Sequence, residues 1–303
     1  MTYRQRGEIA ATTEDLVADA VDLGVAHATP RMIKDWVEHG LLAPPVFRKS
    51  RQRGSDARVF LPQQRRLFHA IIEAKQRSPL ARVPHHTVVP VNLHIWLTSD
   101  TVITDEQARR AFRTYTRSAG ARSAVRRRST ARQVVDQFAH PEASRAQRRM
   151  VEGLLVEGET SKRPRWNLLG PAMRDLASPF RTDGLPRLDE RTIGLPEMPM
   201  TFDAAVAMWM LRLEVARSLQ AESVSTDVLR AARAEFRVGW ARYQDDRTRL
   251  QDRAGASGAM FAMPDGTEAQ VREHVDSFAA TLGCTAGLAE PIFTEVRAGL
   301  RRR

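Results

Sequence analysis

The chain has 303 residues, a formal net charge of +11 and a hydrophobic share of 42%. That length and apolar content support two or three cored domains, and the charge favours anionic partners without naming one. A lone cysteine, Cys284, excludes a disulfide framework, a thiolate zinc cluster and a CxxC redox pair.

Residues 1–10 are polar and read as a frayed end or an arm. The opening MTYRQRGEIA has no apolar signal core, and no apolar run reaches the roughly eighteen residues a membrane span needs. The expectation is a cytoplasmic, nucleoid-associated chain with no membrane partner.

From Thr12 to Lys75 the pattern is richest. Thr12 caps a first helix, with Asp15 three residues on, and Leu16, Val17, Ala20 and Val21 recur at helical spacing until Gly24. After about four residues Thr29 caps a second helix with Pro30 in its first turn. Ile33, Trp36 and Val37 form its apolar face, with Arg31, Lys34, Asp35 and Glu38 on the other. Gly40 offers a left-handed exit, and Leu41 and Leu42 return to the core. This is the layout of a helix-turn-helix, whose second helix can enter a major groove N-terminus first. Pro44 and Pro45 then stop the helix, and Val46-Phe47 and Arg58-Val59-Phe60 are extended candidates for a basic hairpin. A third helix from near Pro62 buries Leu67, Phe68, Ile71 and Ile72.

The run TPRMIKDWVEHGLLAPP, followed by a basic wing, RVF and a helix, resembles the winged helix-turn-helix of MerR-type transcription regulators. The resemblance covers about a quarter of the chain. It implies DNA binding as a dimer, with the second helix in the major groove and the wing on the backbone. Two departures stand out. Asp35 occupies a place where the family usually carries an aromatic or a histidine facing phosphate. SPLARVPHH, with Pro79 and Pro84, replaces the long helix through which family members pair, so the module is expected without that dimerisation helix.

Residues 81–196 form a basic region of mixed helix and loop. RVPHHTVVPVNLHIWL favours strands by its Val, Ile and Trp, limited by Pro84 and Pro90. His85, His86 and His94 lack an acid or cysteine at ligand spacing and read as linker or packing residues, with no metal and no cofactor. Thr104 caps a helix with Ala108, Phe112 and Tyr115 on one side. Further helices carry Val125, Val134, Val135 and Phe138, then Met150, Leu154 and Leu155 from near Pro141. Between Arg109 and Arg149 twelve arginines face only Asp136 and Glu142, which makes a second phosphate-binding surface the sharper reading and an ordinary solvated face the plainer one. Glu157 to Pro196 is punctuated by Gly and Pro into short segments. Trp166, an aromatic amid arginines, could stack on a base, but docking a loop onto the core is the preferred reading.

Residues 197–303 form a C-terminal helical domain. Phe202, Val206, Trp209, Met210, Leu213 and Leu219 mark a broadly buried helix from Thr201. Ser225 caps the next, packing through Val228, Leu229, Phe236, Trp240 and Tyr243. A further helix from Gly266-Thr267 and a last one with Ile292, Phe293, Val296 and Leu300 follow. Cys284 reads as a buried small hydrophobe.

No P-loop, GxGxxG, HExxH or GxSxG is present. The fold class expected is mainly α, a winged helix-turn-helix over 1–80 followed by helical domains. The function expected is sequence-specific binding of double-stranded DNA without catalysis, as a transcription regulator. The alternatives are an accessory protein of a plasmid, phage or transposon, a nucleic-acid enzyme carrying this module, and a small-molecule sensor with its pocket among the helices from Thr201 onward. Arg31, Met32, Lys34 and Asp35 are assigned to the major groove. Arg48, Lys49, Arg51, Arg53 and Arg58 are assigned to the wing-side backbone. Arg109, Arg110, Arg113, Arg117, Arg126, Arg127 and Arg128 make up the second basic surface. A homodimer or higher oligomer, and a protein partner docking through the C-terminal helices, are the remaining partners considered.

Overall fold

The computed structural model describes residues 6–48, 57–77, 85–120, 124–161, 163–177, 192–195, 198–251 and 263–294. The protein is mainly helical, with two short antiparallel hairpins among the described residues. No helix among them is long and apolar enough to cross a membrane. The chain divides into two compact units. Unit 1 comprises 1–118, 225–230 and 266–275, and unit 2 comprises the remainder.

Unit 1 begins with α1 (Thr13–Asp22). Thr12 accepts from the Asp15 amide while the Asp15 carboxylate accepts from the Thr12 amide, so two helix-end donors are satisfied reciprocally. A turn through Gly24, at φ +87°, leads to α2 (Pro30–Glu38). Thr29 caps α2 by accepting from Met32 N at 3.2 Å, and Pro30 holds the first helical position. Gly40, at φ +75°, provides the expected left-handed exit.

Strands β1 (Val46–Arg48) and β2 (Ala57–Val59) pair antiparallel with Phe47 opposite Arg58. Phe60 then exchanges both backbone hydrogen bonds with Ala11, which ties the hairpin to the entry of α1. Helix α3 (Pro62–Arg77) closes the core with Leu67, Phe68, Ile71 and Ile72 buried, as its spacing predicts. Leu16, Ile33, Trp36, Leu41, Leu42 and Phe60 are buried as well, each contributing about 1.5–3 kcal/mol by leaving water, and Trp36 meets Phe68 at 5.2 Å between ring centres.

The expectation of extended structure near 82–97 is overturned. His85–Thr98 is a helix, α4, with Pro90 inside it. Val89, Leu93, Trp96 and Leu97 are fully buried, and that spacing is helical rather than alternating. Burial of this face outweighs the strand preference of Val and Ile and the hydrogen bond that Pro90 cannot donate. Helix α5 (Asp105–Gly120) follows, capped by Thr104 through Gln107 N at 3.1 Å, with Ala108 and Phe112 buried.

Unit 2 is built on α6 (Ala124–Phe138), α7 (Arg145–Thr160), α8 (Trp166–Ala177) and α9 (Phe202–Gln220), around Val135, Val151, Leu155, Leu169, Met173 and Met210. Strands β3 (Thr192–Leu195) and β4 (Met198–Thr201) pair just before α9. Long helices α10 (Thr226–Leu250) and α11 (Thr267–Thr285) run in both units; within unit 2, Phe236 meets Phe278 edge-on at 5.4 Å.

The broken region expected from Glu157 to Pro196 is corrected in part, because α8 is a three-turn helix that contains Pro171. Trp166 does dock on the core, although from that helix rather than from a loop. A side chain at Gly158 would sit 2.9 Å from its ring, and the Arg217 guanidinium lies 5.6 Å from the ring centre. Val125 and Met150 are exposed where helix packing predicts contact. Cys284 is also exposed, because Leu282 and Gly283 of α11 take the buried positions beside it. The expected Val296 and Leu300 lie outside the described residues.

Candidate nucleic-acid interface

Ile33 and Trp36 turn α2 inward and leave Arg31 and Lys34 exposed, with Met32 and Asp35 half-buried. Arg31, Lys34, Asp35 and Glu38 share one face by their spacing. Lys34 lies 3.9 Å from Glu38, an exposed pair worth at most about 1 kcal/mol that leaves the ammonium easily recruited. Two cations against two acids make this face close to neutral. A neutral face with directional donors discriminates more than it attracts, so any general pull on an anion has to come from elsewhere in the unit.

The hairpin strands are the more basic element. Arg48 and Arg58 are exposed on β1 and β2, and neither strand carries an acid. Lys49, Arg51 and Arg53 lie outside the described residues. The guanidinium of Arg58 sits over the Phe47 ring, 4.8 Å from its centre, and Phe47 is 68% exposed. This aromatic–cation pair was not singled out from the sequence, although an unpaired phenylalanine in a basic hairpin is its visible sign.

The pose of α2 is set by three buried amides that sequence reasoning also passed over. Asn92 of α4 donates to the carbonyls of Gly40 and Leu41 at 3.2 and 3.0 Å. Gln107 of α5 donates to Leu41 O at 3.0 Å. Gln64 of α3 accepts from Ala43 N at 2.9 Å and donates to Gln107 and to Val102 O. The carbonyls past the end of α2 would otherwise be buried without partners. Gly40 fits against α5 so closely that a Cβ there would lie 2.2 Å from Ala111 N.

A second buried network holds α1 to α3. Asp19 receives Arg65 through two bonds of 2.6 and 2.8 Å, and His69 Nε2 lies 2.8 Å away. Burial alone would raise the Asp19 carboxyl, but the bonds from Arg65 and His69 outweigh it and hold the group below the ordinary carboxylate range. His94, considered above as a packing histidine, meets His274 Nδ1 to Nδ1 at 2.8 Å. Burial first, and then the neighbouring His94, lower His274 to about 4. Among the described residues no group of three or more ligand-type side chains could hold a metal ion.

The second basic cluster is divided between the units. Arg109 and Arg110 of α5 both bond Glu106, at 3.0 and 3.1 Å through their Nε atoms, so one carboxylate engages two of the four arginines there. Arg113 is lowered by burial and by repulsion from Arg117, Arg109 and Arg110, while Arg117 is exposed. Arg127 and Arg128 belong to α6 in unit 2, half-buried and exposed respectively, and the side chain of Arg126 lies outside the described residues. No protein-family model, no curated protein and no solved structure matches this chain.

Proposed function

We propose that unit 1 is a winged helix-turn-helix that binds double-stranded DNA in a sequence-dependent way, as a transcription regulator does. The observation that carries this reading is the division of α2 into a buried Ile33–Trp36 face and an exposed Arg31–Lys34 face, followed a few residues on by a hairpin whose two strands carry exposed arginines and no acid. Helix α2 lies in the major groove, where Arg31 and Lys34 reach base edges or the phosphates beside them. Arg48 and Arg58 neutralise phosphates next to it. The resemblance of the TPRMIKDWVEHGLLAPP run to MerR-type regulators supports the same arrangement.

Selection of bound duplexes from a random pool by the full-length protein, at two salt concentrations, tests this. The expected result is a defined consensus that survives the higher salt. Arg31→Ala should then lose discrimination between consensus and random duplex by about 1–3 kcal/mol, with little change on random DNA. Equal loss on both duplexes removes Arg31 from base recognition, and a pool that yields no consensus removes the sequence-specific reading.

A further inference from the structure

Among the described side chains Phe47 is the exposed aromatic, at 68%, and Val46 beside it is 43% exposed. Strand register sets Phe47 opposite Arg58, whose guanidinium covers one face of the ring. Arg48 follows directly and is exposed. The outcome is a single apolar ring held up from a narrow ribbon, with one cation stacked on it and another, Arg48, on the ribbon's opposite face.

The size of this feature decides what it fits. A phenylalanine offers roughly 150–250 Å², whereas a stable protein interface takes about 800 Å² from each partner. One ring and one valine are also too little to hold a protein on a lipid surface, where several apolar side chains along a helix are needed. A single ring is, however, the size of the wedges that proteins press into the minor groove at a base step. The flanking guanidinium groups complement the phosphates that border such a groove.

We propose that Phe47 is an apolar wedge for the minor groove of duplex DNA, held upright by Arg58 and flanked by a phosphate contact from Arg48. The inference rests on the DNA-docking reading and extends it, since that reading gives the hairpin only backbone contacts. The proposal sets the hairpin, which begins a few residues past α2 in the chain, at the minor groove next to the one that α2 enters. The ring displaces water from the sugars and partly opens one base step. Pyrimidine–purine steps unstack most cheaply, so Phe47 favours them at a position where no hydrogen bond reads the sequence.

The test compares the full-length protein with Phe47→Ala, Phe47→Leu and Arg48→Ala, on a labelled mixed-sequence duplex over a salt series. An apolar contact releases no counterions, whereas a phosphate contact does. Phe47→Ala is therefore expected to weaken binding about tenfold at every salt concentration with the salt slope unchanged. Phe47→Leu should recover most of that loss, and Arg48→Ala should lower the slope by about one. If Phe47→Ala binds as tightly as the parent, or changes the slope as Arg48→Ala does, the wedge is overturned while the DNA reading stands. A fall in the thermal midpoint of Phe47→Ala assigns the ring to the fold and overturns it too. If the parent binds phosphatidylserine vesicles but no duplex at any salt, both the wedge and the reading beneath it fall.

Discussion

A methyl group at Gly40 would lie 2.2 Å from the Ala111 amide nitrogen, in a backbone conformation of φ +75° that already disfavours any side chain. Strain and overlap add here, because the obstruction is the backbone of α5 and not a flexible side chain. Gly40→Ala should therefore cost about 2–5 kcal/mol, read as a lowered midpoint in chemical denaturation. Asp19 is constrained differently. Its carboxylate is fully buried with Arg65, so Asp19→Ala strands a buried guanidinium and should cost about 3–5 kcal/mol. Because the folded Asp19 lies below its ordinary value, its stabilisation is present above the unfolded carboxyl pKa. It is lost as pH falls through the lower, folded one.

At the scale of elements, the ends of α1 and α2 were legible from Thr12, Asp15, Thr29, Pro30 and Gly40, since caps and exits depend on neighbours close in sequence. Helix α4 was not. Its Val and Ile content and Pro90 argue locally for a strand, and only the burial of Val89, Leu93, Trp96 and Leu97 decides for a helix. The same holds for α8, where Pro171 pointed to a break. The exposed face of α2 could be read from spacing, but the amides that aim it could not. Asn92, Gln64 and Gln107 act across 51, 21 and 66 residues of sequence, beyond any local pattern. Asn92→Ala would take the side-chain donor from the Gly40 carbonyl and leave the Leu41 carbonyl with Gln107. It should destabilise by about 1–3 kcal/mol, and faster hydrogen exchange at the end of α2 would report it. On α2 itself, Asp35→Asn removes a negative charge from a nearly neutral face. Under the DNA reading it should tighten binding to all duplexes alike, measurable as a uniform drop in Kd.

Across the whole molecule, unit 1 is assembled from three separate stretches of chain, so it does not end where the sequence pattern of the first eighty residues ends. Segment 225–230 contributes Arg230, which bonds Asp105 at 2.8 Å, and segment 266–275 contributes His274. A fragment ending at residue 80 lacks Asn92 and Gln107 as well. It should unfold at lower denaturant than unit 1 does in the full chain, as tryptophan fluorescence from Trp36 can follow. The histidine pair adds a pH dependence. His274 is held at about 4 when folded, against an ordinary value near 6.5. Between those values the unfolded chain takes up a proton that the folded chain refuses. Stability is therefore full above about pH 6.5 and declines as pH falls toward 4. Denaturation at a series of pH values should show that slope, and His274→Gln should flatten it.

The amides of Asn92, Gln64 and Gln107 tie down the chain just past α2, which restrains that rod at its C-terminal end. A protein whose reading head swings can adjust to many groove shapes, at the cost of ordering itself on each encounter. Under the DNA reading the adjustment falls to the double helix, whose bendability then sets which sites are occupied. Flexible sequences would be favoured for their compliance as much as for the bases they display.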